Sequence, residues 1–175
     1  MKFNNEKRVF IGIPIGRKIK SILSIVKSAL NCNHRHIKWI PIENIHLTLS
    51  FIGNIPNKDL LLLIQSVKKN ITSINFQLTI TRTGVFPSSE SPKVLWLGIS
   101  KGTDELTSLQ FKVEKSIRKF NENHHRATFN PHITIAKIRR LHRKIDVLPF
   151  LNTVYSRSAE ANIRLNFISN SICHF

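Results

Sequence analysis

Two short segments of the chain pair a histidine with a threonine. Each segment reads His-x-Thr-x with aliphatic residues at x, and the two histidines, His46 and His132, are 86 residues apart. In a β-strand, successive side chains point to opposite faces, so each histidine shares a face with the threonine two residues later, Thr48 or Thr134. Each strand would therefore present an imidazole and a hydroxyl on one face and aliphatic side chains to the core.

Two imidazoles and two hydroxyls around one cavity suit phosphodiester chemistry. With an ordinary pKa of about 6.5, one histidine can accept a proton near neutral pH while the other donates one. The threonine hydroxyls can donate hydrogen bonds to phosphoryl oxygens, where charge accumulates in the transition state. A single His-x-Thr in a strand is more often structural, but two copies on apolar strands favour catalysis.

The spacing of the two copies suggests an internal duplication, because each follows a similar length of chain. Two lobes related by a pseudo-two-fold axis would bring the two His/Thr pairs face to face across a cleft.

The sequence around these motifs predicts a mixture of strands and helices. Helical periodicity predicts an amphipathic helix over residues 17–31, and N-cap residues at Asn57 and Thr103 predict the starts of two more. The second of these three helices is expected to bury Leu60, Leu61, Ile64, Val67 and Ile71. Apolar or alternating runs predict strands over residues 8–15, 37–42, 45–52, 76–80, 94–99, 131–138 and 161–172. No linker divides the chain, so we predict one α+β domain over residues 1–175 with predominantly antiparallel strands.

The composition excludes some classes of protein but does not identify a function. The chain has 27 Lys+Arg against 10 Asp+Glu and a formal charge of +17, which would attract polyanions such as nucleic acid. The charge is spread over both halves of the chain. An A/T-biased genome, which enriches lysine in any protein it encodes, therefore explains the charge equally well. Residues 60–64, the longest apolar run, fall far short of the roughly 20 residues of a membrane span. With a polar N-terminus and two cysteines that form no disulfide framework, we expect a reduced, cytoplasmic setting and no membrane partner.

Around these motifs the sequence resembles the 2H phosphoesterase superfamily, which is named for its two His-x-Thr motifs. The most similar branch is the RNA 2′,3′-cyclic phosphodiesterases, also called bacterial and archaeal 2′-5′ RNA ligases. The resemblance covers almost the whole chain, in residues 8–14, 38–53, 84–87, 94–98 and 129–137. It implies a bilobal fold with two pseudo-symmetric antiparallel sheets, helices outside and a central cleft. It also implies metal-independent hydrolysis of a terminal RNA 2′,3′-cyclic phosphate to a 2′-phosphate, with no cofactor, and reversible 2′-5′ ligation in some members.

The resemblance further implies a role for each motif residue. His132 would be the proton acceptor that activates water, and His46 the proton donor to the departing 3′ oxygen. Thr48 and Thr134 would hold the phosphate. Lys137 stands where the family often has arginine, which would exchange a bidentate phosphate contact for a point charge. The partner would be RNA with a cyclic phosphate end, or a related nucleotide, and we expect a monomer.

Three further features have both a functional and a structural explanation. Phe86, in a Pro/Ser-rich turn, is a candidate for stacking on a nucleobase, whereas Phe51 is expected in the core. The basic residues after the second motif could guide an RNA backbone or form a solvated loop: Lys137, Arg139, Arg140, Arg143 and Lys144. The remaining histidines lack metal-ligand spacing, so we expect solvated loop residues and no metal site: His34, His36, His124, His125 and His142.

Two alternative functions stay open at this point. One is a related 2H activity on a small cyclic nucleotide or a 2′-5′ oligonucleotide. The other is a non-catalytic RNA-binding module that has kept the fold, against which the two intact motifs argue.

Overall fold

The computed structural model describes residues 5–30, 36–71, 73–120, 128–139, 159–166 and 172–174. Its α-helices are α1 (Lys20–Ala29), α2 (Leu60–Asn70) and α3 (Thr103–Ile117). Its strands are β1 (Glu6–Pro14), β2 (Ile37–Trp39), β3 (His46–Pro56), β4 (Ser73–Phe86), β5 (Val94–Lys101), β6 (His132–Ile138), β7 (Ala159–Asn166) and β8 (Ile172–His174). The predicted α+β class with antiparallel strands is confirmed.

The described strands form one hydrogen-bonded sheet in the order β7-β4-β5-β6-β3-β1-β8, with β2 also pairing to β6. Two sheets were predicted, but strand pairing joins the two halves at the centre, between β3 and β6. That link is a single register pair, Leu47 with Ile133. On either side of this link the pairing is much more extensive. Strand β1 pairs with β3 in one half, and β5 pairs with β6 in the other. Each half is therefore well paired internally, and the halves meet at one point.

The helices pack on one face of this sheet. The side chains at the centre of that face are fully buried, among them Ile11, Leu47 and Ile133. They belong to the same core cluster as the buried residues of α1 (Ile22, Leu23 and Val26) and of α3 (Leu106, Leu109, Val113 and Ile117). Because alternate strand residues point to opposite faces, the other face is free of this core and carries the motif side chains.

Three details of the helices differ from the sequence prediction. Helix α2 buries Leu63 and Val67 and leaves Leu61 62% exposed, so its apolar face is rotated from the predicted one. Asn57 does not cap α2, because it starts a short 3-10 helix and its side-chain amide donates to Asn5. The N-cap of α3 is Gly102, whose φ of 83° suits glycine, and Thr103 is the first helical residue.

None of the helices in the described parts of the chain is long and apolar enough to cross a membrane.

Ser50 provides a test of the core, because its buried hydroxyl makes no hydrogen bond to any described residue. Ala136 holds the equivalent position 86 residues later and is also fully buried. We expect Ser50→Ala to leave the free energy of unfolding unchanged or higher, because it removes an unsatisfied polar group. Leu47→Ala, the control in the same strand, should lower that free energy by about 2–5 kcal/mol. Urea unfolding measures both, and a loss above about 1 kcal/mol for Ser50→Ala would mean that the hydroxyl has a partner.

Candidate active site

The candidate site lies where β3 and β6 meet. Leu47 and Ile133 are register partners there, and neither side chain is exposed. Their neighbours along each strand must therefore point to the opposite face. This brings together four half-buried side chains on that face: His46, Thr48, His132 and Thr134.

Antiparallel geometry places the two histidines close to one another. His46 and His132 each precede one member of the central register pair, so they are diagonal neighbours across the two strands. The Cα atoms of such diagonal neighbours are about 7–8 Å apart. At this separation both imidazoles can contact one phosphate group.

Each histidine ring is held by the backbone carbonyl of the residue two positions before it. Nδ1 of His46 is 2.8 Å from the carbonyl oxygen of Asn44, and Nδ1 of His132 is 2.8 Å from that of Asn130. A carbonyl oxygen only accepts, so Nδ1 must be the donor in both rings. Nε2 of each ring is then the atom available to accept or donate a proton.

A short turn produces the first of these contacts. Pro41 begins the turn, its carbonyl accepts a hydrogen bond from the Asn44 amide at 2.9 Å, and a 3-10 helix spans Ile42–Asn44. The chain then extends directly into β3, which places the Asn44 carbonyl beside the His46 ring.

An aromatic ring also supports His46. The Phe10 ring, which is 2% exposed, lies 4.4 Å from the His46 ring with an interplanar angle of 31°. Gly12 leaves room for this close packing, because a Cβ there would crowd the Leu47 carbonyl oxygen at 3.0 Å, Cδ2 of His46 at 3.2 Å and Cε2 of Phe10 at 3.3 Å. The packing removes water from one side of the imidazole.

His132 is supported differently, by two aromatic rings that approach it edge-on. Phe86 lies 5.3 Å from His132 at 83°, and Trp96 lies 6.3 Å from it at 67°. The Phe86 and Trp96 rings stack on each other at 5.2 Å. Trp96 pairs across the strands with Gly84, where a Cβ would overlap the indole. Phe86, half-buried at the end of β4, therefore packs on the candidate site.

A β-bulge follows each motif. Leu49 is the extra residue of β3 against β1, and Ile135, 86 residues later, is the extra residue of β6 against β5. A bulge shifts the alternation of side chains by one residue. Phe51 and Lys137 consequently lie on the face that carries the motif histidines, because their strand partners are Phe10 and Val94. Phe51 is 58% exposed, so the prediction that it lies in the core is wrong.

Burial lowers the pKa of His46 below its ordinary value of 6.5, and the hydrogen bond to the Asn44 carbonyl opposes that shift. The physical cause is that the imidazolium loses hydration against Phe10 and the strand, which disfavours the charged form. In the free protein, His46 is therefore biased toward its neutral form.

Several site features were missed from the sequence, although one signal could have found them. The repeat spacing of 86 residues extends beyond His-x-Thr, and it relates Asn44 to Asn130, Phe10 to Trp96, and Gly12 to Gly98. The two asparagines supply carbonyls to the histidine rings, and the two aromatic residues supply rings beside them. The two glycines are the strand partners of Thr48 and His132.

The other basic residues and histidines singled out from the sequence are exposed or lie outside the described residues. Lys137, Arg139 and His36 are exposed. No group of three or more His, Cys, Asp or Glu that could hold a metal ion occurs within the described ranges. Residues outside those ranges are His34, His124, His125, Arg140, His142, Arg143 and Lys144.

The environment of His46 predicts how its ring titrates. We expect a ¹H–¹⁵N NMR titration to give a midpoint below 6.5 and a neutral tautomer protonated on Nδ1. Inorganic phosphate should raise the midpoint, because an anion stabilises the imidazolium. A midpoint at or above 6.5, or a neutral ring protonated on Nε2, would contradict the described environment.

The lowered pKa of His46 also predicts how the free energy of unfolding depends on pH. The unfolded chain binds a proton at His46 near pH 6.5, whereas the folded chain binds it only at lower pH. The stability that depends on a neutral His46 ring is therefore fully present above pH 6.5 and is lost as the pH falls through the lowered pKa of the folded state. His46→Gln should remove this part of the acid dependence, as unfolding curves at several pH values would measure.

Comparison with known proteins places the chain in a family. Residues 13–96 match the family model for LigT-like phosphoesterases. An RNA 2′,3′-cyclic phosphodiesterase from Aquifex aeolicus is 30% identical over 172 residues, which cover 94% of this chain and 89% of that protein. Another from Thermotoga maritima is 28% identical over 137 residues, 75% of this chain and 70% of that protein.

Solved structures share the fold. A Thermus thermophilus protein matches with a TM-score of 0.65 at 18% identity, over 90% of this chain and 82% of that one. Escherichia coli LigT, crystallised with 3′-AMP, matches with a TM-score of 0.60 at 22% identity, over 80% of this chain and 78% of that one. The 30% identity to the Aquifex aeolicus protein over most of both chains, together with the matching family model, places this chain in the LigT-like phosphoesterases of the 2H group.

Proposed function

We propose that this protein hydrolyses a terminal RNA 2′,3′-cyclic phosphate to a 2′-phosphate by acid–base catalysis between its two motif histidines. One observation carries the proposal: two His/Thr pairs meet on one face, and each histidine has Nδ1 bound to a carbonyl. Relatives over most of the chain are named RNA 2′,3′-cyclic phosphodiesterases, which supports this substrate class. We assign the two halves to two lobes of one domain, with the substrate bound between them.

In the proposed step, His132 is the base and His46 is the acid. Nε2 of His132 takes a proton from water as the water oxygen attacks phosphorus. The bond from phosphorus to the 3′ oxygen breaks, and Nε2–H of His46 protonates that oxygen. The products are a 2′-phosphate and a 3′-hydroxyl. An RNA 5′-hydroxyl in place of the water would give the related 2′-5′ joining reaction with the same pair.

The lowered pKa of His46 is compatible with an acid role only once substrate is bound. In the free protein the neutral form is favoured. The cyclic phosphate is an anion, and its charge beside Nε2 favours the imidazolium. We infer that substrate binding and protonation of His46 are coupled.

The remaining substrate contacts come from side chains on the same face. Thr48 and Thr134 would donate hydrogen bonds to the non-bridging oxygens, and Lys137 would add a positive charge. Phe86 packs against His132, and we assign its accessible part to contact with the terminal nucleoside.

The proposed function is tested by substitution of each histidine. His46→Ala and His132→Ala should each lower the rate of cyclic phosphate hydrolysis about 10²–10⁴-fold, because each removes one positioned proton transfer. The assay offers adenosine 2′,3′-cyclic phosphate and identifies the product isomer, with the fold checked by circular dichroism. A folded variant that keeps more than about a tenth of the wild-type rate would remove that histidine from the mechanism.

The threonines should matter less than the histidines. We expect Thr48→Val and Thr134→Val to lower kcat by at most about 10²–10³-fold, since each removes one neutral donor while nearly preserving shape. Thr107→Val is the matched control, because Thr107 is an exposed residue of α3 whose hydroxyl donates to the Thr103 carbonyl. Wild-type rates in both site variants would make the two hydroxyls structural.

A further inference from the structure

Trp96 is an aromatic side chain of the candidate site that the fold holds under unfavourable conditions. Its six-membered ring lies over Gly84 of the neighbouring strand, where an added Cβ would overlap it. A Cβ at Gly98 would lie 3.0 Å from Cζ3 of the same ring. The indole Nε1–H is buried and makes no hydrogen bond to any described residue, which is destabilising. The chain therefore gives up two side chains and one hydrogen bond to keep a tryptophan at this position.

The first half of the chain shows that support of a motif histidine does not require tryptophan. The residue 86 positions earlier is Phe10, which packs on His46 and has no polar side-chain atom. Phe10 is 2% exposed, whereas Trp96 is half-buried and keeps an accessible part on the motif face. The larger, partly accessible ring is thus particular to the half that carries His132.

The proposed reaction gives the two halves of the site different partners. In an in-line displacement, the entering oxygen and the departing oxygen lie on opposite sides of phosphorus. His132 is the proposed base, so the entering oxygen approaches from its side, while His46 faces the departing 3′ oxygen. The aromatic rings that contact His132, those of Phe86 and Trp96, are therefore on the side of the nucleophile. A water molecule needs no apolar surface there.

We propose that the accessible part of the Trp96 ring binds the nucleoside of a second RNA end, whose 5′-hydroxyl takes the place of the attacking water. The inference rests on the proposed function and names a position for the incoming strand. Phe86, stacked on Trp96, contacts the terminal nucleoside, so the two nucleosides would lie side by side. Every nucleobase has an apolar face that packs on an aromatic side chain, so this position does not select a base.

The step is the displacement already described, with a different nucleophile. Nε2 of His132 takes the proton of the 5′-hydroxyl as that oxygen attacks phosphorus. The bond from phosphorus to the 3′ oxygen breaks, and Nε2–H of His46 protonates the departing oxygen. One phosphorus–oxygen bond forms and one breaks, so the step needs no further reactant. The product is a 2′-5′ phosphodiester beside a free 3′-hydroxyl.

The test compares two alcohols that differ by a nucleobase. In 2′,3′-dideoxyadenosine the 5′-hydroxyl is the only hydroxyl, and tetrahydrofurfuryl alcohol has the same ring and hydroxyl without the base. Each is added at the same concentration to the enzyme with adenosine 2′,3′-cyclic phosphate, and the ratio of joined to hydrolysed product is measured. Both products need the same two histidines, so this ratio does not change in a variant that only weakens catalysis.

The ratio should report the contact between the base and Trp96. For the wild type it should be about 5- to 150-fold higher with dideoxyadenosine than with tetrahydrofurfuryl alcohol, the range for one base–aromatic contact. Trp96→Leu should remove most of this preference without changing the ratio for tetrahydrofurfuryl alcohol, and Trp96→Phe should keep part of it. The matched control is Phe111→Leu, which should keep all of it, because Phe111 is a 64% exposed side chain of α3 on the other side of the sheet.

Fluorescence gives a second readout that needs no turnover. The chain has two tryptophans, and Trp39 packs against the core, so Trp39→Phe leaves Trp96 as the only indole. With 2′-AMP present to fill the terminal nucleoside position, dideoxyadenosine should quench the Trp96 emission saturably, and tetrahydrofurfuryl alcohol should not. Unchanged emission in the folded variant would contradict a contact between the base and Trp96.

The outcomes separate the second nucleoside position from the function on which it rests. If the wild type hydrolyses the cyclic phosphate but joins neither alcohol, or joins both in equal ratio, the second position is overturned and the proposed function stands. The same conclusion follows if Trp96→Leu keeps the full preference for dideoxyadenosine. If the wild type does not hydrolyse the cyclic phosphate, the proposed function fails, and the second position fails with it.

Discussion

The structure depends on one buried pair, Leu47 against Ile133, which is the register link between the two halves of the sheet. Side chains alternate strictly along a strand, so burying these two residues commits their neighbours to the opposite face. A slip of one residue would turn the motif histidines into the core and bring leucine and isoleucine to the surface. The register of this pair is therefore set by the hydrophobic effect, and the position of the candidate site is a consequence of it.

The two halves share what the chemistry needs and differ in what surrounds it. Both supply a histidine with Nδ1 bound to a carbonyl, a threonine, a glycine that makes space, and a bulge after the motif. They differ in the aromatic support, a tilted Phe10 ring against His46 on one side and edge-on rings against His132 on the other. They differ also after the bulge, with Phe51 in one half and Lys137 in the other. The shared features suit a phosphate held between two equivalent groups, and the differences give the site a direction.

The site also carries energetic costs that the core has to offset. His46 loses hydration against Phe10, which disfavours its charged form, and two lysines oppose each other across β2 and β6. Both features lie on the face away from the helices, so they leave the apolar packing of Ile11, Leu47 and Ile133 on the helix face undisturbed. This division lets one face stabilise the fold while the other holds groups that a ligand would satisfy.

Local alternation and spacing were enough to predict the strands that carry His-x-Thr and the face that each histidine shares with its threonine. The sequence could not determine which face α2 buries, since four consecutive leucines, Leu60 to Leu63, satisfy more than one helical stripe. Three features became visible in the folded chain alone. Strands β3 and β6 pair, the carbonyls of Asn44 and Asn130 hold the histidine rings, and Phe51 and Lys137 lie on the motif face. The reason is physical: strand pairing and bulges are set by contacts between residues distant in sequence, and one inserted residue reverses the alternation on which sequence reasoning relies.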